Sequence, residues 1–258
     1  MRLYAFHCGG EQATRSLFDP NDPDCGAPML VPYFFFLIQH AGQNILFDTG
    51  MHPMSISDPA RHFGEHADSY PLVMAPGDDA VSLLATVGVA PDDVGHIVQS
   101  HLHYDPAGGL TLFKRATVHL HRVELPFALW PPVYQRNPPQ FIRHEFESIT
   151  SWHEIEGDCD ILGDGRLIAF PTPGHTAGHQ SLLVHLDGGP VILVGDAAYD
   201  LGKMRERRLP SVLWSPDAMV ASWERLEGLE RNLGATLMTS HELTYETTRR
   251  LAPTAWYE

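Results

Sequence analysis

The chain has 258 residues and a formal net charge of −15, from 17 basic and 32 acidic residues, and 43% of its residues are hydrophobic. This composition excludes a disordered chain, and the length suits a single domain over residues 1–258. The acidic balance argues against a nucleic-acid partner, and no apolar run reaches the roughly 20 residues of a membrane helix. Three widely spaced cysteines indicate free thiols, and the first residues do not resemble a secretory signal, so we expect a cytoplasmic protein.

Apolar, β-rich stretches dominate the first part of the chain. Residues 29–39 and 44–47 predict a hairpin that is buried on both faces and ends at Asp48. Asp48 is either a turn former or a carboxylate that orients a metal-binding histidine. Residues 51–79 predict a long irregular segment with several histidines, and such a segment inside a compact domain is usually functional or mobile.

Strands and helices alternate in the rest of the chain. An amphipathic helix is expected over residues 217–232, and residues 130–147 predict an irregular, aromatic-rich segment that is either a substrate wall or a surface excursion. Two further helices are expected, over residues 79–87 and from residue 122 to just before Trp130. The expected strands are residues 94–99, 117–121, 153–155, 166–170, 182–186, 191–194 and 236–238.

Two histidines and an aspartate follow the strand at residues 94–99, at His101, His103 and Asp105. Neutral imidazole suits zinc and its neighbours, a carboxylate can complete or bridge a site, and strand ends hold ligands rigidly. A single histidine here would more often be a surface or capping residue, but the cluster favours a metal site. A short helix is expected over residues 106–113, with Asp105 as its N-cap and Pro106 at its first position.

Candidate metal ligands stand at four separate strand ends. In chain order they are His101, His103, Asp105, His175, Asp196 and His241. Strands of one sandwich that open toward the same edge would bring these residues together. His101, His103 and His175 would form one tetrahedral zinc site with a water in the open fourth position. Asp105 and His241 would hold a second ion, and Asp196 would bridge the pair.

Four stretches carry a resemblance to a known family. They are residues 48–53, 100–109, 172–181 and 196–199, with the motifs His-x-His-x-Asp, Pro-Gly-His and Gly-Asp, and a Ser-His pair follows at residues 240–241. Their order and context resemble the metallo-β-lactamase superfamily, and within it the N-acyl homoserine lactonases. The resemblance implies an α/β (α+β) fold, a four-layer αββα sandwich with the metals at one edge of its two sheets.

The resemblance also implies a function, that of a quorum-quenching hydrolase which opens the ring of a small-molecule lactone. It implies one or two zinc ions, with Mn, Co or Fe as alternatives. The absence of a nucleic-acid or membrane partner is expected from the net charge and the short apolar runs. Tyr199 corresponds to a tyrosine that binds the substrate carbonyl oxygen in this family. Asp105 would move a proton to the leaving alkoxide. Monomer and homodimer both stay open, as does the preferred acyl chain.

One position departs from the family motif, which has a histidine directly after the aspartate where this chain has Pro106. Proline offers no metal-ligating side chain, so the second site would keep only Asp105, Asp196 and His241. Three outcomes are open: a weak second ion completed by water, a single-metal enzyme, or rescue by His62 or His66. The alternative functions are a superfamily hydrolase for another ester, a thioester, a phosphate ester or a β-lactam, and a metal-binding homologue with impaired catalysis.

Overall fold

The computed structural model describes residues 1–258, and twelve β-strands form two sheets. The strands are β1 (Arg2–Thr14), β2 (Pro28–His40), β3 (Gln43–Phe47), β4 (Leu72–Val73), β5 (Val94–Val98), β6 (Thr117–His121), β7 (Trp152–Ile155), β8 (Cys159–Asp160), β9 (Leu167–Pro171), β10 (Gln180–Leu186), β11 (Gly189–Gly195) and β12 (Thr236–Thr239). The larger sheet has the order β4-β1-β2-β3-β5-β6-β7, and the smaller sheet has the order β12-β11-β10-β9-β8.

Eight α-helices connect or cover these strands. They are α1 (Met54–Ser57), α2 (Pro59–Phe63), α3 (Ala80–Ala85), α4 (Tyr104–Ala107), α5 (Glu124–Leu129), α6 (Leu201–Arg205), α7 (Pro216–Leu233) and α8 (Tyr245–Thr248). Short 3₁₀ turns lie at Arg15–Leu17, Gly64–Ser69, Pro91–Asp93, Leu110–Leu112, Val133–Gln135 and Arg143–Glu145. None of the helices combines the length and the apolar character that crossing a bilayer requires.

Three apolar cores separate four layers. Along β2, Phe34 and Phe36 face the core between the two sheets, whereas Phe35 and Leu37 face the core beneath α3 to α5. Successive side chains of a strand point to opposite faces, so a continuous apolar run is buried on both sides. A third core packs α6 and α7 on the smaller sheet, with Trp223 at its centre. The expected αββα sandwich is therefore confirmed.

The candidate ligands lie at one edge because of the strand directions. β3 and β5 pair in parallel, as do β11 and β12, so the carboxyl ends of each pair meet. β10 is antiparallel to both β9 and β11, which aligns β9 with β11. The loops that follow β5, β9, β11 and β12 consequently open toward the same rim of the sandwich.

The local structure differs from expectation in two places, and β1 contains an irregularity. The predicted irregular segment at residues 51–79 contains α1, α2 and β4. The helix after the histidine cluster is α4, which has His103 rather than Asp105 at its N-cap and is followed by a separate 3₁₀ turn at Leu110–Leu112. β1 spans 13 residues and its pairing with β2 shifts between His7 and Gly10. Such a bulge inserts one extra residue and rotates the rest of the strand.

Candidate metal centre

Three imidazoles converge at the rim of the sandwich. Nε2 of His175 lies 3.2 Å from Nε2 of His101 and 2.8 Å from Nδ1 of His103, and the latter two atoms are 3.1 Å apart. Two Zn–N bonds at a tetrahedral angle separate their nitrogens by ~3.3 Å, so this triangle has the size of a tetrahedral metal face. All three side chains are buried.

A second group adjoins the first and consists of Asp105 on α4, Asp196 after β11 and His241 after β12. One ligand atom from each lies within 4.8 Å of the others. Asp196 faces both groups, because its Oδ2 is 3.3 Å from Nε2 of His175 while its Oδ1 is 3.0 Å from Nε2 of His241. The six predicted residues are thus brought together, with Asp196 in the bridging position.

Hydrogen bonds on the far side of the rings orient the donors. Nδ1 of His175 donates to the carbonyl oxygen of Val212 at 3.1 Å, and Nδ1 of His241 donates to that of Pro32 at 2.9 Å. Each bond fixes the tautomer that leaves Nε2 free to bind a cation. Nε2 of His179 accepts from the backbone N–H of Asp196 at 3.0 Å, which positions the bridging carboxylate.

Burial sets the charge of these side chains. Burial, together with the neighbouring His175, holds the pKa of His101 well below its usual value, and the same causes lower the pKa of His103. Both rings are therefore neutral, which is the form that ligates metals. Burial and the charge of Asp196 raise the pKa of Asp105 to about 8. Burial also raises the pKa of the Tyr199 hydroxyl well above its usual value.

The carboxylate of Glu124 connects the two histidine-bearing loops, and sequence reasoning missed it. Its Oε1 accepts from the backbone N–H of Leu102 at 3.0 Å, and its Oε2 accepts from that of Gly178 at 3.0 Å and from the hydroxyl of Thr176 at 2.7 Å. Burial raises its pKa to about 7, although these three donors oppose the shift. A Cβ at Gly178 would lie 2.4 Å from the Glu124 nitrogen, so only glycine permits this approach. The available signal was weak, because Glu124 is the first residue of the otherwise apolar α5 and acids are common in the first turn of a helix.

Asp48 acts on the backbone rather than on an imidazole. Its Oδ1 accepts from the N–H of Ser100 at 2.7 Å and from Nε2 of Gln99 at 3.1 Å. The Ser100 hydroxyl in turn lies 2.9 Å from Nδ1 of His101. Of the two predicted roles, that of a carboxylate which orients a candidate metal-binding histidine is compatible with these contacts, because Asp48 fixes the loop that carries His101.

A cavity of about 190 Å³ opens onto both groups of ligands. Tyr199 lines it, with its hydroxyl oxygen 3.3 Å from Nδ1 of His175. Tyr33, Tyr70 and Tyr104 contribute to the same wall. The cavity therefore gives a small molecule access to the candidate ligands past a row of tyrosines.

Pro106 is buried in α4, where its carbonyl oxygen accepts hydrogen bonds from the N–H of Thr49 at 2.8 Å and from its hydroxyl at 2.9 Å. Neither histidine considered as a replacement joins the site. Nε2 of His62 is buried 2.8 Å from Glu145, and His66 lies 3.7 Å from Glu65 at the surface. Rescue of the second site by His62 or His66 is therefore wrong for this structure.

Comparisons with known proteins agree with this architecture. Residues 30–244 match the family model of the metallo-β-lactamase superfamily. The N-acyl homoserine lactonase AttM of Azorhizobium caulinodans is 34% identical to the chain, over 94% of this chain and 93% of the relative. The N-acyl homoserine lactonase AiiA of Bacillus thuringiensis subsp. kurstaki is 29% identical, over 88% of each chain. The crystal structure of a quorum-quenching N-acyl homoserine lactone hydrolase matches with a TM-score of 0.85 and 25% identity, over 99% of this chain and 97% of that chain.

A four-layer sandwich with two adjoining groups of histidine and aspartate at its rim defines the class of metal-dependent hydrolases. The family match covers most of the sequence, including every candidate ligand. The chain belongs to the metallo-β-lactamase superfamily.

Proposed function

We propose that the protein is an N-acyl homoserine lactonase, a hydrolase that opens the lactone ring to give the hydroxy acid. The observation that carries this proposal is the pair of ligand groups sharing Asp196, with Tyr199 beside them in one cavity. The curated relatives named as N-acyl homoserine lactonases support it. Both the substrate and the roles of individual residues are part of the proposal.

Two divalent cations, zinc in the first instance and Mn, Co or Fe as alternatives, fit the donor set. His101, His103 and His175 would hold the first, Asp105 and His241 the second, and Asp196 both. When bound, the pair supplies a Lewis acid for the lactone carbonyl and lowers the pKa of water toward neutrality. The size of the imidazole triangle and the neutral state of its rings are the structural grounds for this assignment.

Tyr199 is assigned to the carbonyl oxygen of the substrate. Its hydroxyl lies at the boundary between the cavity and the ligand His175. As water attacks the carbonyl carbon, the carbonyl oxygen gains negative charge, and the phenol can donate a hydrogen bond to it. A donor placed in advance at a developing oxyanion is usually a large contribution to catalysis.

Asp105 is assigned to the proton transfer. The attacking water forms the new C–O bond and loses a proton, and the ring C–O bond breaks. Asp105 would accept the proton from water and deliver it to the leaving alkoxide, so that one water is consumed per ring opened. Its position between His241, 3.6 Å away, and the cavity supports this role.

The test is whether the protein hydrolyses an N-acyl homoserine lactone. A pH-stat would titrate the acid released, and the protein would be loaded with Zn, Mn or Co in turn. Turnover by the parent and none by His103→Ala would support the proposal. A thioester and a phosphate ester serve as competing substrates. Turnover of either of these without lactone turnover, or no turnover with any metal, would reject it.

A further inference from the structure

Glu11 is a partly buried carboxylate that lines the same cavity as Asp105, Asp196 and His241. No motif of the family pattern includes it, and its neighbours in sequence, Gly10 and Gln12, gave no sign of a site. Its Oε2 accepts a hydrogen bond from the hydroxyl of Tyr104 at 3.0 Å, which fixes its position.

The bulge in β1 turns Glu11 toward this cavity. Before the bulge, Leu3 and Ala5 face the core between the sheets, so strict alternation would turn residue 11 the same way. The register shift between His7 and Gly10, with Gly9 at φ 83°, moves Glu11 to the opposite face. There it pairs with Val31, one residue before the carbonyl that accepts from His241.

The carboxylates around the cavity outnumber their cationic partners. Three carboxylates line it, those of Glu11, Asp105 and Asp196, whereas the lining contains no lysine or arginine, and the imidazole of His241, 3.0 Å from Asp196, can balance only one of them. Carboxylates removed from water without an opposite charge are costly unless a metal ion accompanies them. In addition, the buried hydroxyl of Tyr33 lines the same cavity without a hydrogen-bond partner. Such an orphaned polar group is expected where an ordered water or an ion binds.

We propose that Glu11 is an anionic partner of the second metal position and compensates for Pro106. The inference rests on the proposed two-metal lactonase function and adds a residue to it. The three ligand atoms of Asp105, Asp196 and His241 cluster without Glu11. We therefore assign Glu11 a contact through a water bound at the second position. The chain thus replaces an imidazole that follows the aspartate in sequence with a carboxylate that arrives from β1.

Metal content tests this inference independently of activity. The parent, Glu11→Gln, Pro106→His and the double variant would be loaded with zinc, dialysed and titrated with a chelator to give ions per chain and the affinity of each position. We expect two ions in the parent and an affinity at the second position at least 10-fold lower in Glu11→Gln, with the first position unchanged. Glu65→Gln, a surface substitution, is the matched control and should retain both ions.

The double variant separates a metal effect from a folding defect. If Glu11 acts at the second position, Pro106→His should restore the second ion in the Glu11→Gln background, because the new imidazole makes Glu11 dispensable. One ion in the parent, or unchanged second-site affinity in Glu11→Gln, would overturn the inference even if the lactone is hydrolysed. Two ions that depend on Glu11, without lactone turnover, would support it while rejecting the proposed substrate.

Discussion

The histidines at the rim and a second histidine group on the larger sheet differ in the direction of their ring nitrogens. At the rim, His101, His103 and His175 each direct one nitrogen to a common centre, beside the carboxylate of Asp196. On the inner face of the larger sheet, Nδ1 of His96 lies 3.0 Å from Nε2 of His119, and Nδ1 of His119 lies 2.8 Å from Nδ1 of His153. His119 uses both ring nitrogens and leaves none for a shared centre.

The difference shows that neither the number of histidines nor their contact distances define a metal site. The two groups have nearly the same nitrogen separations, yet one forms a triangle and the other a chain. The triangle stands on loops after strand ends, where rings from separate strands can converge. The histidine chain, formed by His96, His119 and His153, spans three adjacent strands, β5, β6 and β7, whose side chains stand in parallel rows. Convergence with a carboxylate is the feature that distinguishes the rim group.

The largest expected effect separates the two groups directly. His103→Ala should abolish lactone turnover and weaken ion binding at the first position, because that position loses one of its three imidazoles. His153→Ala, in the histidine chain, should leave both lactone turnover and the ion content of the first position unchanged. Metal analysis and the pH-stat assay provide the measurements, and circular dichroism verifies the fold. Equal metal content in the two variants would contradict the distinction between triangle and chain.

A smaller effect is expected at Tyr199, which contacts His175 of the rim group. Tyr199→Phe should lower the kcat for lactone hydrolysis by about 10- to 100-fold, since it removes one hydrogen-bond donor to the oxyanion. Metal content should stay at the parental value because phenylalanine leaves all six ligands in place. Steady-state kinetics on the zinc-loaded protein would measure this. An unchanged kcat would remove the role assigned to the hydroxyl.

Glu124 provides a third test, because its carboxylate connects the two loops that carry the rim histidines and does not contact the histidine chain. Glu124→Gln should weaken zinc binding at the first position by about 10-fold, since an amide NH₂ would face N–H and O–H donors and loosen both loops. Chelator competition would give the affinity. Glu154→Gln, an exposed acid on β7, is the control, and equal affinities of the two variants would show that the loops hold without Glu124.

The smallest expected effect concerns the histidine chain and appears only in stability. Burial, with His96 and His153, lowers the pKa of His119 to about 3 from an ordinary value of 6.5. The unfolded chain therefore binds more protons than the folded one between these values, so the free energy of unfolding falls as the pH falls through this window. The contribution of one group is at most about 1.4 kcal/mol per pH unit.

His119→Gln should accordingly flatten the loss of stability between pH 6.5 and pH 4.5 without changing metal content. Urea unfolding of the parent and the variant at several pH values would measure the difference in slope. Identical slopes of the free energy of unfolding against pH would mean that His119 is protonated equally in the folded and unfolded states. A loss of zinc in the variant would mean that the histidine chain binds metal.

The six candidate ligands could be predicted from the sequence because each stands just after or near a predicted strand, in a spacing that also fits the family pattern. Tyr199 came from the resemblance alone. Glu124 and His179 were missed because most of their hydrogen-bond partners, backbone groups and the Thr176 hydroxyl, lie 17 to 54 residues away, and local patterns contain no information on such contacts. The start of α4 was misplaced because the N-cap of a short helix is set by the loop before it.

By itself the sequence determined the predicted strands and the chemical identity of the donors, since these follow from periodicity and from the residue types at strand ends, and its resemblance to the family implied the αββα architecture. Only the tertiary structure decided which of the 16 histidines converge and which ring nitrogen each one offers. It also decided that Glu11 faces the cavity. The physical reason is that pairing register and bulges are fixed by long-range contacts between strands, and one inserted residue reverses the face of every side chain after it.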